Sequence, residues 1–304
     1  MPIKETWLYI SPDGVSYPLD VDGKRSVLSY EGTGMPEIKY ITQRGAYQHG
    51  VTVNSFRLEP RIIQLIIRHN FCNRDDFWSG RLSLLNSIRP NRASILSPGI
   101  LRKIRSDSSK RDLDVYIQEG PKFSPKELGV WDEWGFTEVL RFLAPNPIPY
   151  DPTIHSALFF SGYSARDLVL PFDIPFVLGV DTFYMSSDIT YLGTWPEYPT
   201  IIITGRIENP VILNNTTGEK LALEVFIDFG ETVVIDLKYG YKTIMMNGST
   251  NYIKYLTPDS DLEKFHIEPA PVAVGGVNNI TVSGYNSSLG AGFEIQYYTR
   301  EIGY

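Results

Sequence analysis

The stretch Ser55-Phe56-Arg57-Leu58-Glu59-Pro60-Arg61-Ile62-Ile63-Gln64-Leu65-Ile66-Ile67-Arg68-His69-Asn70 decides the reading of the fold. Ile63, Leu65 and Ile67 fall on one face of an extended chain, Ile62 and Ile66 on the other, because side chains alternate with period two. With both faces apolar, the segment reads as one long strand between two layers. Pro60 has no N–H for a ladder, so it belongs at the start of the paired region or at a bulge. A helix follows. Asn73 reads as its N-cap, Asp75 and Asp76 suit the positive end of the dipole, and Pro90 closes it. Trp78, Leu82, Leu85 and Ile88 fall at helical spacing, with Phe77 and Leu84 beside them, a stripe expected to pack on a sheet. Gly80 costs ~1 kcal/mol against Ala in a helix, which points to a close approach there. Cys72, between strand and helix with no identifiable base, reads as a buried structural cysteine.

Further along, turn residues punctuate the chain at short intervals; 25 Gly and 21 Pro in 304 residues leave little room for other long helices. Ser94–Ile104, Leu113–Gln118 and Glu138–Leu143 read as strands. Leu221, Leu223, Val225, Ile227 and Phe229 alternate with mostly polar neighbours, as do Val233, Ile235 and Leu237, and Phe293, Ile295 and Tyr297. Half-buried antiparallel strands alternate in this way, and Asn247-Gly248 marks a two-residue hairpin. The fold class is therefore mainly β. It is expected to comprise a β-sandwich-like N-terminal domain with one α-helix and a C-terminal jelly-roll sandwich. Four prolines in Ala144–Pro152 suggest a stiff linker, with domains at 1–142 and 153–304 joined by 143–152, and cleavage there is expected to yield two folded pieces.

Composition narrows the function. Residues 1–150 hold 20 Lys/Arg against 17 Asp/Glu, and 151–304 hold 8 against 18. An acidic half repels phosphate backbones, so nucleic-acid binding is not expected despite the basic cluster between Arg89 and Arg111, which reads as a solvated rim. No apolar run approaches the ~20 residues of a membrane span, and the first ten residues have no signal-peptide core. Five Asn-x-Ser/Thr triplets, at Asn214, Asn215, Asn247, Asn279 and Asn286, then read as polar turns. A lone Cys72 excludes an internal disulfide framework and a multi-cysteine zinc site.

Catalytic signals are missing. His49, His69, His155 and His266 form no ligand pair, and the nucleophile elbow and the phosphate-binding glycine motifs are absent. No cofactor, metal or catalytic residue is expected. Asp132 and Glu133 are adjacent and point apart in an extended chain, which suits no glycosidase pair. Asp259, Asp261 and Glu263 alternate onto one side but lack the glycine and distant glutamate of a calcium loop, so they read as a solvated turn. Tyr191, Trp195 and Tyr198 crowd together beside two prolines; they read as core or as a platform for stacking on a sugar ring. Arg57, Glu59, Arg61 and Arg68 form a mixed-charge row on the long strand. Such a row could set register between neighbouring copies, and Arg61→Glu would then weaken assembly more than folding.

Several stretches together resemble one family. They are Gln48-His49-Gly50-Val51, Leu58-Glu59-Pro60-Arg61-Ile62-Ile63-Gln64-Leu65, Leu84-Leu85-Asn86-Ser87-Ile88-Arg89-Pro90 and Val139-Leu140-Arg141-Phe142-Leu143-Ala144-Pro145-Asn146-Pro147. Tyr198-Pro199-Thr200-Ile201, Thr217-Gly218-Glu219-Lys220-Leu221, Gly230-Glu231-Thr232-Val233-Val234-Ile235-Asp236 and Ser260-Asp261-Leu262 continue the pattern. In order and spacing they resemble the distal tail protein family of long-tailed phages; Ser161–Asp188 has no clear counterpart. The resemblance implies a non-enzymatic virion component of the distal tail, made in the bacterial host cytoplasm. It implies an N-terminal domain closing into a homo-hexameric ring and a C-terminal galectin-like sandwich. The expected partners are further copies of the chain, the tail tube protein, and tail-tip, tail-fibre or receptor-binding proteins. A saccharide-binding host-adhesion module, using Tyr191, Trp195 and Tyr198, is the alternative.

Overall fold

The chain divides into two units, Met1–Pro152 together with Glu301–Tyr304, and Thr153–Arg300. A computed structural model describes residues 5–21, 23–71, 73–89, 97–121, 135–160, 182–287 and 290–304. Cys72, Pro90, the Asp132-Glu133 pair, the start of the Ser94–Ile104 segment and most of Ser161–Asp188 lie outside the described residues.

The first unit contains, in order, β1 (Thr6–Ile10), β2 (Ser16–Pro18), β3 (Arg25–Glu31), β4 (Ile38–Gln43), β5 (Thr52–Leu58), β6 (Arg61–Asn70), α1 (Arg74–Ile88), β7 (Gly99–Ile104), β8 (Lys110–Glu119) and β9 (Gly135–Ala144). Seven strands form one antiparallel sheet in the order β2-β1-β7-β8-β9-β6-β3. Lys110 to Val115 of β8 pair with β7, while Tyr116 to Glu119 pair with β9 across a register shift. One strand thus serves two halves of the sheet. Both halves contribute to one core: Trp7, Tyr9 and Leu101 from one, Ile63, Leu65, Ile67, Leu140 and Phe142 from the other. The rings of Tyr9 and Phe142 meet at 5.5 Å.

The expected Ser55–Asn70 strand is two strands. Pro60 cannot donate to a ladder, and Glu59 donates its N–H to the Glu37 carbonyl at 2.9 Å, so β5 leaves the sheet at this point. It pairs only with β4, as a separate two-stranded hairpin. Nor is β6 covered on both faces: Ile63, Leu65 and Ile67 are buried, Ile62 is exposed and Ile66 half-buried.

The helix starts as expected, the Asn73 side chain accepting from the Asp76 N–H at 2.9 Å. Its buried line is a different one. Phe77, Gly80, Leu84 and Ile88 face inward, whereas Trp78, Leu82 and Leu85 are exposed. Gly80 explains the rotation, since a Cβ there would stand 2.3 Å from the Phe71 ring. Only a hydrogen lets the helix approach. Gly80→Ala should gain helix propensity of ~1 kcal/mol yet destabilise the first unit by about 1–2 kcal/mol net through overpacking. A thermal melt checks this; unchanged or raised stability would mean that Phe71 moves aside freely.

Residues 143–152, read from sequence as a linker, lie in the first unit. Pro147, Ile148 and Pro149 are buried, and Tyr150 exchanges both backbone hydrogen bonds with Asp112 at 2.8 and 2.9 Å. Proline cannot join a central sheet, but an apolar proline segment can cover one. The chain returns at Glu301, so in chain order the second unit is an insertion between Pro152 and Glu301. A nick in this segment would accordingly leave both pieces joined through Glu301–Tyr304.

The second unit contains β10 (His155–Phe160), β11 (Phe183–Thr190), β12 (Thr200–Thr204), β13 (Ile207–Asn214), β14 (Glu219–Ala222), β15 (Phe226–Ile227), β16 (Thr232–Asp236), β17 (Thr243–Met246), β18 (Thr250–Asn251), β19 (Val277–Tyr285) and β20 (Gly292–Tyr297). One antiparallel sheet runs β10-β20-β12-β16-β17-β18; the other runs β11-β19-β13-β14, with β15 also on β13. Ile201, Ile203, Val233, Ile235, Phe293 and Ile295 from the first meet Phe183, Ile189, Ile212, Ile280 and Val282 from the second in one core. This is a two-sheet sandwich. Asn247 and Gly248 carry φ of 49° and 70°, the positive values that their hairpin turn requires.

Candidate functional site

In the first unit the arginine row does not behave as a row. Arg57 is exposed and pairs with Glu59 at 3.2 Å on the same strand end. Arg68 is half-buried, its Nε donating to Asn70 at 3.1 Å. Arg61 is only 4% exposed and donates through Nη2 to the Ile302 carbonyl at 3.2 Å, while its Nε and Nη1 have no partner among the described residues. Burial pushes its pKa down, though not enough to discharge a guanidinium. Arg61 therefore supports the fold beneath the returning chain, and charge reversal there would act on folding first.

That return is the least expected feature of the unit. The Glu301 N–H donates to Pro149 and the Tyr304 N–H to Thr33, both at 3.1 Å. Glu301 pairs with Arg111 and, at 3.6 Å, with Arg105; Arg111 also holds Asp151 at 3.1 Å. The Tyr304 ring lies 5.7 Å from Trp7, and its hydroxyl donates to the Leu101 carbonyl at 3.3 Å. Burial pushes the Tyr304 phenol well up, so it stays a hydrogen-bond donor. Beside it the Lys103 ammonium is enclosed by three rings, Tyr30 at 4.7 Å, Trp7 at 5.5 Å and Tyr304 at 5.9 Å, and pairs with Glu5 at 2.9 Å. Aromatic faces and one carboxylate compensate a nearly buried cation. Burial pushes the Glu5 carboxyl up, but the Tyr30 hydroxyl and Lys103 outweigh it and hold it below its usual range.

Among the described residues of this unit, two groups of neighbouring apolar side chains stand exposed. Both strands of the β4–β5 hairpin are solvated almost throughout, with Tyr40, Ile41, Val53 and Phe56 exposed. The second surface is the Trp78, Leu82 and Leu85 stripe of α1. Neither was legible as exposed in the sequence, because apolar periodicity marks a face without saying what covers it.

In the second unit the aromatic crowd is dispersed. Tyr191 is buried, donates its hydroxyl to the Trp195 carbonyl at 2.7 Å and accepts from the Arg300 N–H at 3.0 Å; burial pushes its pKa far up. It offers no stacking face, which corrects the sugar-platform reading for that residue. Trp195 and Tyr198 are half-buried, and Tyr198 meets Tyr239 edge-on at 5.3 Å with the Lys242 ammonium 4.7 Å from its ring. Between them, Glu197 is 1% exposed and its carboxylate pairs with Arg300. Burial pushes the Glu197 carboxyl up against the opposing pull of Arg300.

Reactive geometry is sparse. Asp259 pairs with Lys220 and accepts from Thr257, and the Asp261 carboxylate accepts the Lys220 N–H at 3.2 Å, so this acidic run is a turn tied to β14. His69 and Glu138 form a buried cross-strand pair at 2.6 Å; His155 stacks on Tyr297; His266 sits between Glu219 and Glu268. The His69–Glu138 pair joins residues 69 positions apart, so no local motif could reveal it. Among the described residues no group of three or more His, Cys, Asp or Glu could hold a metal ion. No helix of the described residues is long and apolar enough to cross a membrane.

Residues 192–299 match the family described as siphovirus-type tail component, C-terminal domain. The crystal structure of SPP1 Dit (gp 19.1), described as a paradigm of the hub adsorption apparatus in phages infecting Gram-positive bacteria, shares the fold. It aligns at TM-score 0.61 and 14% identity over 98% of this chain and 99% of that one. A chain of the phage P2 baseplate in its activated conformation with Ca aligns at TM-score 0.49 and 10% identity, over 96% of this chain and 98% of that one. No curated protein matches.

Proposed function

We infer that this chain, whose residues 192–299 match the C-terminal domain of a siphovirus-type tail component, is a structural hub protein at the distal end of a phage tail. Its first unit assembles into a homo-hexameric ring that joins the tail tube to tail-tip and receptor-binding proteins. The observation that carries this reading is the solvated β4–β5 hairpin. A two-stranded hairpin is marginal alone in water, and one bearing four exposed apolar side chains calls for a second surface. The hairpin and the Trp78, Leu82 and Leu85 stripe are different surfaces, as a head-to-tail contact requires, and head-to-tail contacts form a ring when the rotation between copies closes. Among the described residues, binding surfaces and buried ion pairs account for the unusual side chains.

Negative-stain imaging and light scattering of the purified chain test the proposal. Six-fold particles are expected at tens of micromolar or on addition of tail-tube protein. Tyr40→Glu with Phe56→Lys should abolish them while leaving the melting temperature within about 2 °C, since both side chains are exposed in the free chain and the new charges, directly opposite across the hairpin, attract. Strict monomers under every condition, or particles indifferent to the double variant, would overturn the role given to the hairpin.

A further inference from the structure

We propose that the outer face of the five-stranded sheet in the second unit is a binding surface for a neutral saccharide, built from Tyr184, Ser186, Asp188, Asn215, Asn279 and Thr281. The alternation of β11 places Phe183 and Ile189 in the core and turns Tyr184, Ser186 and Asp188 outward. β19 lies beside it in register, with Ser186 opposite Thr281 and Asp188 opposite Asn279. Asn215, just past the end of β13, reaches the same row.

These side chains hold one another in place. The Asn279 Nδ2 donates to Asp188 at 2.7 Å, and the Asn215 Nδ2 lies 2.7 Å from both the Asn279 Oδ1 and the Thr281 hydroxyl. The Ser186 hydroxyl donates to the Asn279 Oδ1, and Thr281 donates to Ser186, each at 3.2 Å. Two of the Asn-x-Ser/Thr triplets of the sequence, at Asn215 and Asn279, meet in this network. Carboxamides, hydroxyls and a carboxylate each have more donor and acceptor positions than these bonds use, so capacity remains for a ligand. These bonds already orient the side chains, which lowers the entropy lost on binding.

Ligand class follows from what the face contains. Tyr184 is 71% exposed and lies on the same side of β11 four residues from Asp188, about 13 Å along the strand. An aromatic face at one end and a hydrogen-bonding array at the other suit a short oligosaccharide, which presents apolar C–H faces and many hydroxyls. A protein partner is disfavoured, because the row lacks the central apolar anchors that dominate protein interfaces. Polyanions are disfavoured by the 18 Asp/Glu against 8 Lys/Arg in residues 151–304 and by Asp188 on the face itself.

Saturation-transfer NMR and titration calorimetry on the full chain, with neutral glucosyl, galactosyl, rhamnosyl and N-acetylhexosaminyl oligosaccharides as probes, test the assignment. At least one probe should bind in the millimolar range or tighter. Tyr184→Ala should weaken it about two- to tenfold, and Asp188→Ala by at least as much. Both side chains are exposed, so both variants should melt like the parent. Trp195, half-buried between β11 and β12, makes no bond in this network, so Trp195→Ala should leave binding unchanged. No binding by any probe at millimolar concentration, or binding unaffected by both Tyr184→Ala and Asp188→Ala, would overturn the proposal. Ring imaging reads the hub function separately, so failure of either leaves the other standing.

Discussion

Removing Glu301–Tyr304 lowers the stability of the first unit by about 4 kcal/mol and its melting temperature by roughly 8–16 °C, although only four residues are lost. Arg111 loses Glu301 and keeps Asp151; Arg61 loses the Ile302 carbonyl, its partner for Nη2. A buried cation deprived of a partner is costly because water cannot replace it. Loss of the Tyr304 ring also opens one side of the Lys103 enclosure and uncovers Trp7. Scanning calorimetry of the parent and truncated chains measures the effect, with the transition of Thr153–Arg300 as internal reference. Tyr304→Phe keeps the ring and loses only the bond to Leu101, so it should cost about 1 kcal/mol. A truncated chain that melts with the parent would show that the returning segment rests on the unit without supporting it.

Glu197→Ala should destabilise the second unit by about 3–5 kcal/mol, because it breaks the ion pair between a buried carboxylate and the mostly buried Arg300 guanidinium. Glu197→Met combined with Arg300→Met should recover most of that loss, since a buried pair replaced by well-packed apolar side chains is often close to neutral. Urea denaturation of the parent, both single variants and the double variant closes a thermodynamic cycle. An additive double variant would mean that the two residues support the fold independently. A small loss for Glu197→Ala would mean that solvent or another group of the fold holds the Arg300 charge in place of Glu197. The Tyr191–Tyr198 segment is tied to residues 298–300 through the same groups: Tyr191 accepts the Arg300 N–H, and Glu197 accepts from the Tyr298 N–H and the Arg300 guanidinium.

Periodicity and turn chemistry, which act over a few residues, were readable without the structure. Val233, Ile235 and Leu237 alternate into the core as their spacing implies, Asn73 caps its helix, and Asn247-Gly248 turns its hairpin. The resemblance to distal tail proteins also stood in the sequence, as ordered short motifs, and the C-terminal part of it coincides with the family match over residues 192–299. Pro60 was correctly placed at the edge of pairing, yet the consequence of that edge, a hairpin leaving the sheet, depends on where Glu37 lies in space.

Which apolar face is covered was decided only by tertiary packing. Trp78, Leu82 and Leu85 have the same helical spacing as the buried line, and the approach of Phe71 to Gly80 selects between them. Arg61 and Arg57 look alike as members of a charged row, but a segment 241 positions away from Arg61 closes over one and leaves the other in water. The polar face of β11 and β19 likewise brings together Asp188, Asn215 and Asn279, which no local pattern links. The reason is physical: secondary structure follows from torsional preference and side-chain period within a few residues, whereas burial, ion pairing and exposed surface depend on which distant segments arrive, and a one-dimensional pattern carries no record of that.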